Sequence, residues 1–382
     1  MINELIYILP DHVGGVASVI GNLLKYSKSD LKKTVLLLRT SHDGNISYRF
    51  DCDNQQVINI DPHQSLSSVY KEICRYVSPN SVIISNDGWF EIDALAYCNK
   101  SNPLVYILHG NFDHYYQQIS KHSNRISKVI TVSSYLKSQA MRYFDGGVEF
   151  IRFPISNTES FNDQKYNGEQ IIINYAGRLE VAKGTQHFPL LVSKLNGLGI
   201  NFRFNIFGAG EDYDILMSAL GKYTNIHIYG QRSHEEIIKS NSTAHINLLF
   251  SQTEGLPVCV VEAMKSGMVP IVFELPSGIP DIIQDKVNGF ILPQGNISDV
   301  VRIIDKLYKD RKYMKDIATS AMRFAQKEFD PYEQTRKYES TFLTLETSMV
   351  KFNPLKRLLL HLPAPTYYSF QGYKKKLTSF FK

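Results

Sequence analysis

Cysteine is scarce: Cys52, Cys74, Cys98 and Cys259 are the only four thiols in 382 residues. None belongs to a C-x-x-C pair, which argues against a zinc ribbon or thioredoxin-like centre, and four are too few for a disulfide scaffold. Long apolar runs are missing as well. No uninterrupted stretch reaches the roughly 18 residues of a spanning helix. Residues 1–10 lack both a basic start and a long apolar segment, so no signal peptide is expected, and a reducing cytoplasm is the default compartment. Acidic residues are absent from 351–382, which holds seven of the 42 Lys and Arg side chains. The other 350 residues therefore carry 35 basic and 37 acidic groups. The body is nearly neutral and the tail alone supplies the net charge of +5, which argues against a nucleic-acid-binding body.

What is present is an ordinary globular balance, 43% hydrophobic and 21% charged, in a length that suits two or three domains. Short apolar runs recur at 5–9, 35–38, 82–84, 104–108 and 129–132. Most lead into Gly, Asn, Ser or Asp and then into helical periodicity, as at 16–24 and 135–143. Continuous rather than alternating apolar runs suit buried parallel strands. Residues 156–169 are polar and read as a linker. The pattern then restarts with strands at 171–176, 202–207, 226–229, 244–248 and 269–273. Helices are expected from Gly184 and from Pro257, with Pro257 in the first helical turn, and again over 299–307 and 312–328. The reading is α/β: two Rossmann-like doubly wound domains, 1–155 and 170–330, facing each other across a cleft. A closing helix (331–350) and a basic aromatic tail (351–382) follow. Ligands in such folds bind outside the carboxyl ends of the strands.

Four strand-end loops carry chemistry. Gly14-Gly15 would let a ligand approach backbone and a helix N-terminus, though a plain turn has the same sequence. Arg178 and Lys183 place two cations in one strand-to-helix loop, a site for a diphosphate. Gly208-Ala209-Gly210 has two glycines of a dinucleotide fingerprint but Tyr213 stands at the third, so it reads as a tight turn, not an NAD site. The most specific stretch runs from Glu254 through Gly255, Leu256 and Pro257 to Glu262. It offers backbone N–H donors and two carboxylates that can accept from hydroxyls.

Taken in order, Ala176-Gly177-Arg178-Leu179 with Lys183-Gly184, Phe207-Gly208-Ala209-Gly210, Glu254…Glu262, Ser277-Gly278-Ile279-Pro280-Asp281 and Asn288-Gly289-Phe290 resemble glycosyltransferase family 4, whose members are retaining enzymes of GT-B architecture. The resemblance spans roughly 1–345 in organisation and concentrates in 171–295. It implies that Arg178 and Lys183 hold the donor diphosphate, Glu262 the ribose hydroxyls, and Glu254 with the Gly255–Leu256 backbone the donor sugar, Gly208 lining the same place. Gly15 would lie under the phosphate and the acceptor, and His109 would face the reacting sugar. No metal or other cofactor is implied. The chain departs from the pattern at its short Gly14-Gly15-Val16 loop, at Phe250-Ser251, at Ser277-Gly278 and at Asp281, which leaves sugar and acceptor open.

The expectation is therefore a retaining, metal-independent hexosyltransferase. It would take a nucleotide sugar, by default UDP-linked, to a bacterial surface-glycan acceptor, lipid-linked or lipopolysaccharide. The alternatives are a silent GT-B partner of another transferase and a nucleotide-sugar epimerase. Two Asp-x-Asp triplets, Asp51-Cys52-Asp53 and Asp212-Tyr213-Asp214, lack the strand-end placement of a metal site. In 351–382 seven cations alternate with Phe352, Tyr367, Tyr368, Phe370, Tyr373, Phe380 and Phe381, a composition for peripheral contact with an anionic inner leaflet; docking of the tail on the first domain is the other reading.

Overall fold

The computed structural model describes residues 2–11, 14–40, 48–61, 63–88, 90–157 and 163–345. The tail therefore lies outside the described residues. The described chain falls into two compact units, one ending at Pro154 and resuming at Tyr332, the other running from Ile155 to Pro331.

The first unit contains β1 (Glu4–Pro10), α1 (Gly15–Lys25), β2 (Lys32–Thr40), β3 (Asn54–Ile60), α2 (Leu66–Arg75), β4 (Ser81–Asn86), α3 (Phe90–Tyr97), β5 (Leu104–Leu108), α4 (Asp113–Lys121), β6 (Lys128–Thr131), α5 (Ser134–Ala140) and β7 (Val148–Phe150). Its strands form one parallel sheet in the order β3-β2-β1-β4-β5-β6-β7. β1, β4 and β5 are buried along almost their whole length because helices cover both faces, as unbroken apolar runs require.

The second unit contains β8 (Ile171–Ala176), α6 (Phe188–Gly197), β9 (Phe202–Phe207), α7 (Tyr213–Leu220), β10 (Ile226–Gly230), α8 (His234–Thr243), β11 (Ile246–Leu249), α9 (Val258–Lys265), β12 (Val269–Phe273), β13 (Phe290–Leu292), α10 (Ile297–Lys309) and α11 (Arg311–Glu328). Its parallel sheet runs β10-β9-β8-β11-β12-β13. Phe188, Phe204, Phe250 and Phe273 lie at the heart of its core, with edge contacts such as Phe188–Phe204 at 5.2 Å. Each such ring contributes on the order of 2–3 kcal/mol by leaving water.

The last helix, α12 (Pro331–Leu343), packs on the first unit. Its Tyr338 hydroxyl donates to Ile151 O at 3.2 Å, and Phe342 meets the buried Tyr7 edge-on at 6.4 Å.

Three expectations shift. The helix anticipated from Gly184 starts at Phe188, after two short 3₁₀ turns. Gly184 has φ of +80° and a Cβ there would lie 2.3 Å from Phe250 O, so no α-helix runs through it. Pro257 is the N-cap of α9, with extended ψ of 108°, rather than a residue of its first turn. The strand placed at 244–248 is β11, Ile246–Leu249. The strands not anticipated, β3, β7 and β13, are all sheet edges. Half-exposed β3 reads NQQVINI, with Ile58 its fully buried residue, so its sequence lacks an apolar run. Residues 163–167, placed in the linker, form a 3₁₀ turn with Tyr166 buried.

Candidate functional site

In each sheet the strand order reverses once, between β1 and β4 and between β8 and β11. The loops leaving the carboxyl ends there diverge and open a crevice.

In the second unit the two loops are those after β8 and β11. Backbone bonds stitch the first loop to its neighbours: Gly177 N to Phe207 O at 3.0 Å, Leu179 N to Ala209 O at 2.9 Å and Gly208 N to Gly230 O at 2.8 Å. This close approach demands glycine at 208, where φ is +145° and a Cβ would sit 1.8 Å from Gly177 O. Across the crevice, Gln252 N donates to Ala182 O at 2.9 Å. Lys183 Nζ lies 2.7 Å from Glu254 Oε1, both side chains mostly buried. Arg178 does not share that pairing. Its side chain is 69% exposed, and its guanidinium lies 3.1 Å from Glu180 Oε1.

The β11 loop ends in α9, whose N-cap Pro257 has no side-chain cap. First-turn N–H groups there carry the positive end of the helix dipole. The loop is backed by Gly278 N, which donates to Gly255 O at 2.7 Å, and Leu256 is buried. Glu262 is 6% exposed, so it is not a solvated helix residue. Its Oε1 lies 2.8 Å from His234 Nε2 on the first residue of α8. Sequence reasoning missed His234. The signal was the capping box of Ser233 and Glu236, which marks where α8 begins. A polar ladder holds α8 in place: Asn205 donates to Asn174, which donates to Asn241 and Ser240. Burial, reinforced by the carboxylates of Glu254 and Glu262, pushes the Cys259 thiol up to about 12. It is no nucleophile at neutral pH.

In the first unit the carboxyl ends of β1, β4 and β5 carry Gly14-Gly15, Asn86-Asp87 and His109. Gly15 opens α1, which likewise has no side-chain cap. His109 Nε2 lies 3.0 Å from Asn86 Oδ1. The Asn86 amide donates to Ile8 O at 3.1 Å, so its oxygen is the acceptor and His109 carries its proton on Nε2. Nδ1 is then the acceptor nitrogen of the ring. Burial pushes the His109 imidazole down to about 3, which keeps it neutral. Asp87 and Glu91 were not anticipated. Asp87 has a left-handed φ of +56° and accepts from His109 N at 2.8 Å. Burial raises its carboxyl to about 8, against backbone hydrogen bonds from His109 and Gly110 that lower it. Glu91 is buried, takes a hydrogen bond from Ser85, and is raised by burial to about 7. Gly88 makes room for it, since a Cβ there would lie 2.5 Å from Glu91 Oε1.

The two Asp-x-Asp triplets are otherwise engaged. Asp53 accepts from Lys33 N at 2.7 Å. Asp212 stands at the N-cap position of α7 and accepts from the Thr185 hydroxyl.

Residues 156–324 match the family model described as glycosyl transferases group 1. A lipopolysaccharide 1,6-galactosyltransferase of Escherichia coli is 26% identical over 52% of this chain and 56% of its own length. The GtfA subunit of a UDP-N-acetylglucosamine–peptide N-acetylglucosaminyltransferase of Streptococcus pneumoniae is 22% identical over 54% of this chain and 41% of its own length. The chain thus spans about half the length of these curated relatives. Among solved structures, Anabaena Alr3699/HepE in complex with UDP superposes with a TM-score of 0.72 at 17% identity, over 90% of this chain and 100% of that one. A sucrose-phosphate synthase of Thermosynechococcus elongatus gives 0.71 at 13% identity, over 89% and 98%. The architecture is that of GT-B glycosyltransferases.

Proposed function

We propose that this chain is a glycosyltransferase that moves a hexose from a nucleotide sugar to a glycan acceptor with retention of configuration. The observation that carries the reading is the second unit's crevice. Lys183 and exposed Arg178 stand on the loop that leaves β8, Glu254 pairs with Lys183 from the loop that leads into α9, and buried Glu262 lies on α9 itself. The match over 156–324 covers these same residues.

In this reading Arg178, Lys183 and the α9 N–H groups take the diphosphate. Fixed cations stabilise its growing charge without a metal ion. Glu262 accepts from the ribose, exchanging His234 for sugar hydroxyls. Glu254 and the Gly255–Leu256 backbone hold the transferred sugar, with Gly208 lining the crevice. The anomeric C–O bond to phosphate breaks and the acceptor oxygen bonds the same face. The acceptor's proton passes to the departing phosphate oxygen. Glu254 is already engaged by Lys183, so it binds sugar rather than attacking it. In the first unit, Gly15 and neutral His109 serve the sugar and acceptor, with Nδ1 accepting from a hydroxyl.

UDP is the donor nucleotide of this reading, supported by the solved likeness in complex with UDP. The acceptor in this reading is a surface glycan, lipid-linked or lipopolysaccharide, which the likeness to a lipopolysaccharide galactosyltransferase supports. The basic aromatic tail would bring the enzyme to the inner face of the cytoplasmic membrane. The test is calorimetric titration of UDP, in EDTA, into wild type and Glu262→Ala. Binding by wild type that weakens at least tenfold in the variant, about 1.4 kcal/mol, is the expected result. Failure of UDP, GDP and ADP alike to bind wild type would sink the reading and leave a silent partner of another transferase in its place.

A further inference from the structure

Helix α9 presents Glu262 to the crevice, and its other end is unusually well held. The last carbonyls of a helix have no partner within it. Here Lys165, in the 3₁₀ turn Asp163–Asn167, donates to Ser266 O at 2.9 Å and to Ala244 O at 2.8 Å. The neighbouring Tyr166 hydroxyl donates to Gly267 O. A cation at this end also complements the helix dipole. A second lysine reaches the opposite way. Lys265, the last residue of α9 and 1% exposed, directs its ammonium to Ile155 O at 2.6 Å, Phe329 O at 2.9 Å and Asn157 Oδ1 at 3.0 Å. Three acceptors match the three donors of an ammonium. Ile155 N also donates to Phe329 O at 3.4 Å, so the first and last segments of the second unit run side by side at this lysine.

The path from Glu262 to these segments is short. Glu262 O accepts from both Ser266 N at 3.1 Å and Ser266 Oγ at 2.9 Å. Ser266 in turn presents its own carbonyl to Lys165. Burial pushes the Lys165 and Lys265 ammonium groups down to about 7 and about 8. Burying two ammonium groups is costly. A helix stop needs neither of them.

We propose that Lys165 and Lys265 are positioning residues that bind the Glu262 helix to the segments 155–157, 163–167 and 329, through which the chain enters and leaves the second unit, so that nucleotide held at Glu262 tightens those segments. This rests on the nucleotide site argued above. The coupling requires no contact between either lysine and the nucleotide.

The experiment is amide hydrogen exchange on the full chain, with and without saturating UDP, in wild type, Lys265→Met and Lys165→Met. Calorimetry with UDP on each protein comes first. In wild type, UDP should slow exchange in 155–157 and 163–167 by about tenfold. In either variant UDP should still bind within about threefold of wild-type affinity, while the slowing falls below about twofold. A lysine that only stabilised the unit would raise exchange with and without UDP equally, and the UDP-dependent ratio would persist. That persistence in the variants overturns the proposal, as does UDP binding to wild type with no response in these segments. If Lys265→Met fails to fold, the half-buried Lys165 carries the test alone. Absence of UDP binding to wild type would be seen calorimetrically, before exchange is measured, and overturns the nucleotide reading together with this one.

Discussion

Lys183 Nζ and Glu254 Oε1 lie 2.7 Å apart, bridging the loops that leave β8 and β11 where the strand order of the second sheet reverses. Neither loop alone makes this pair. The pair is mostly buried, whereas the Arg178 side chain is exposed and turned to Glu180.

Removing one partner strands the other. Lys183→Ala should lower transfer about 10²–10³-fold by deleting a fixed charge at the leaving group. Lys183→Ala combined with Glu254→Gln should lose less than the product of the single effects, because the two share one interaction. Steady-state rates of the four proteins with a UDP-sugar check this. Strict multiplicativity would mean the pair does not act as a unit.

His109 is neutral across the working range, since burial holds it at about 3. His109→Ala should cut turnover by about 10²-fold with UDP affinity unchanged. In wild type the rate between pH 5 and 8 should show no inflection from this imidazole. An inflection near pH 6.5 that vanishes in His109→Ala would contradict the neutrality that burial imposes on this imidazole.

Asp87 and Glu91 hold their protons more tightly in the folded unit than in the unfolded chain. Below the ordinary carboxylate range both states are protonated, and the associated stability is fully present. As pH rises the unfolded chain releases protons first, so stability is lost until about 7 for Glu91 and about 8 for Asp87. Glu91→Gln should remove the Glu91 share, on the order of 3 kcal/mol between pH 4.5 and 7. Urea unfolding of wild type and variant at several pH values reads this. Parallel pH curves for the two proteins would show that Glu91 ionises normally.

Gly208→Ala should be severe. The substituted Cβ meets Gly177 O, and φ of +145° is closed to alanine. A loss of about 3 kcal/mol or more is expected in the melting of the second unit. Gly197→Ala, at a site with open space around it, should change little. Comparable melting of both variants would show that the loop yields.

Deleting 351–382 should reduce binding to anionic vesicles at low salt while UDP binding survives. Equal vesicle binding with and without the tail would assign those cations another role.

Much of this protein was legible one residue at a time. Buried parallel strands need largely apolar side chains, so β5, β8 and β12 announce themselves at 104–108, 171–176 and 269–273. Their ends mark where the loops of the candidate site begin, so Arg178, Lys183, Glu254 and Glu262 could be singled out by position, and His109 through the family resemblance. Three of the four edge strands, β3, β7 and β13, escaped; half-exposed β3, for one, has no apolar run. What only the tertiary structure decided is who stands next to whom. His234 reaches Glu262 from 28 residues away. Asp87 is raised by burial and held by His109 N from another strand. Lys265 finds its acceptors at 155, 157 and 329. Pairing of this kind, and the burial that shifts a proton affinity, depend on distances across the sheet that no local pattern encodes.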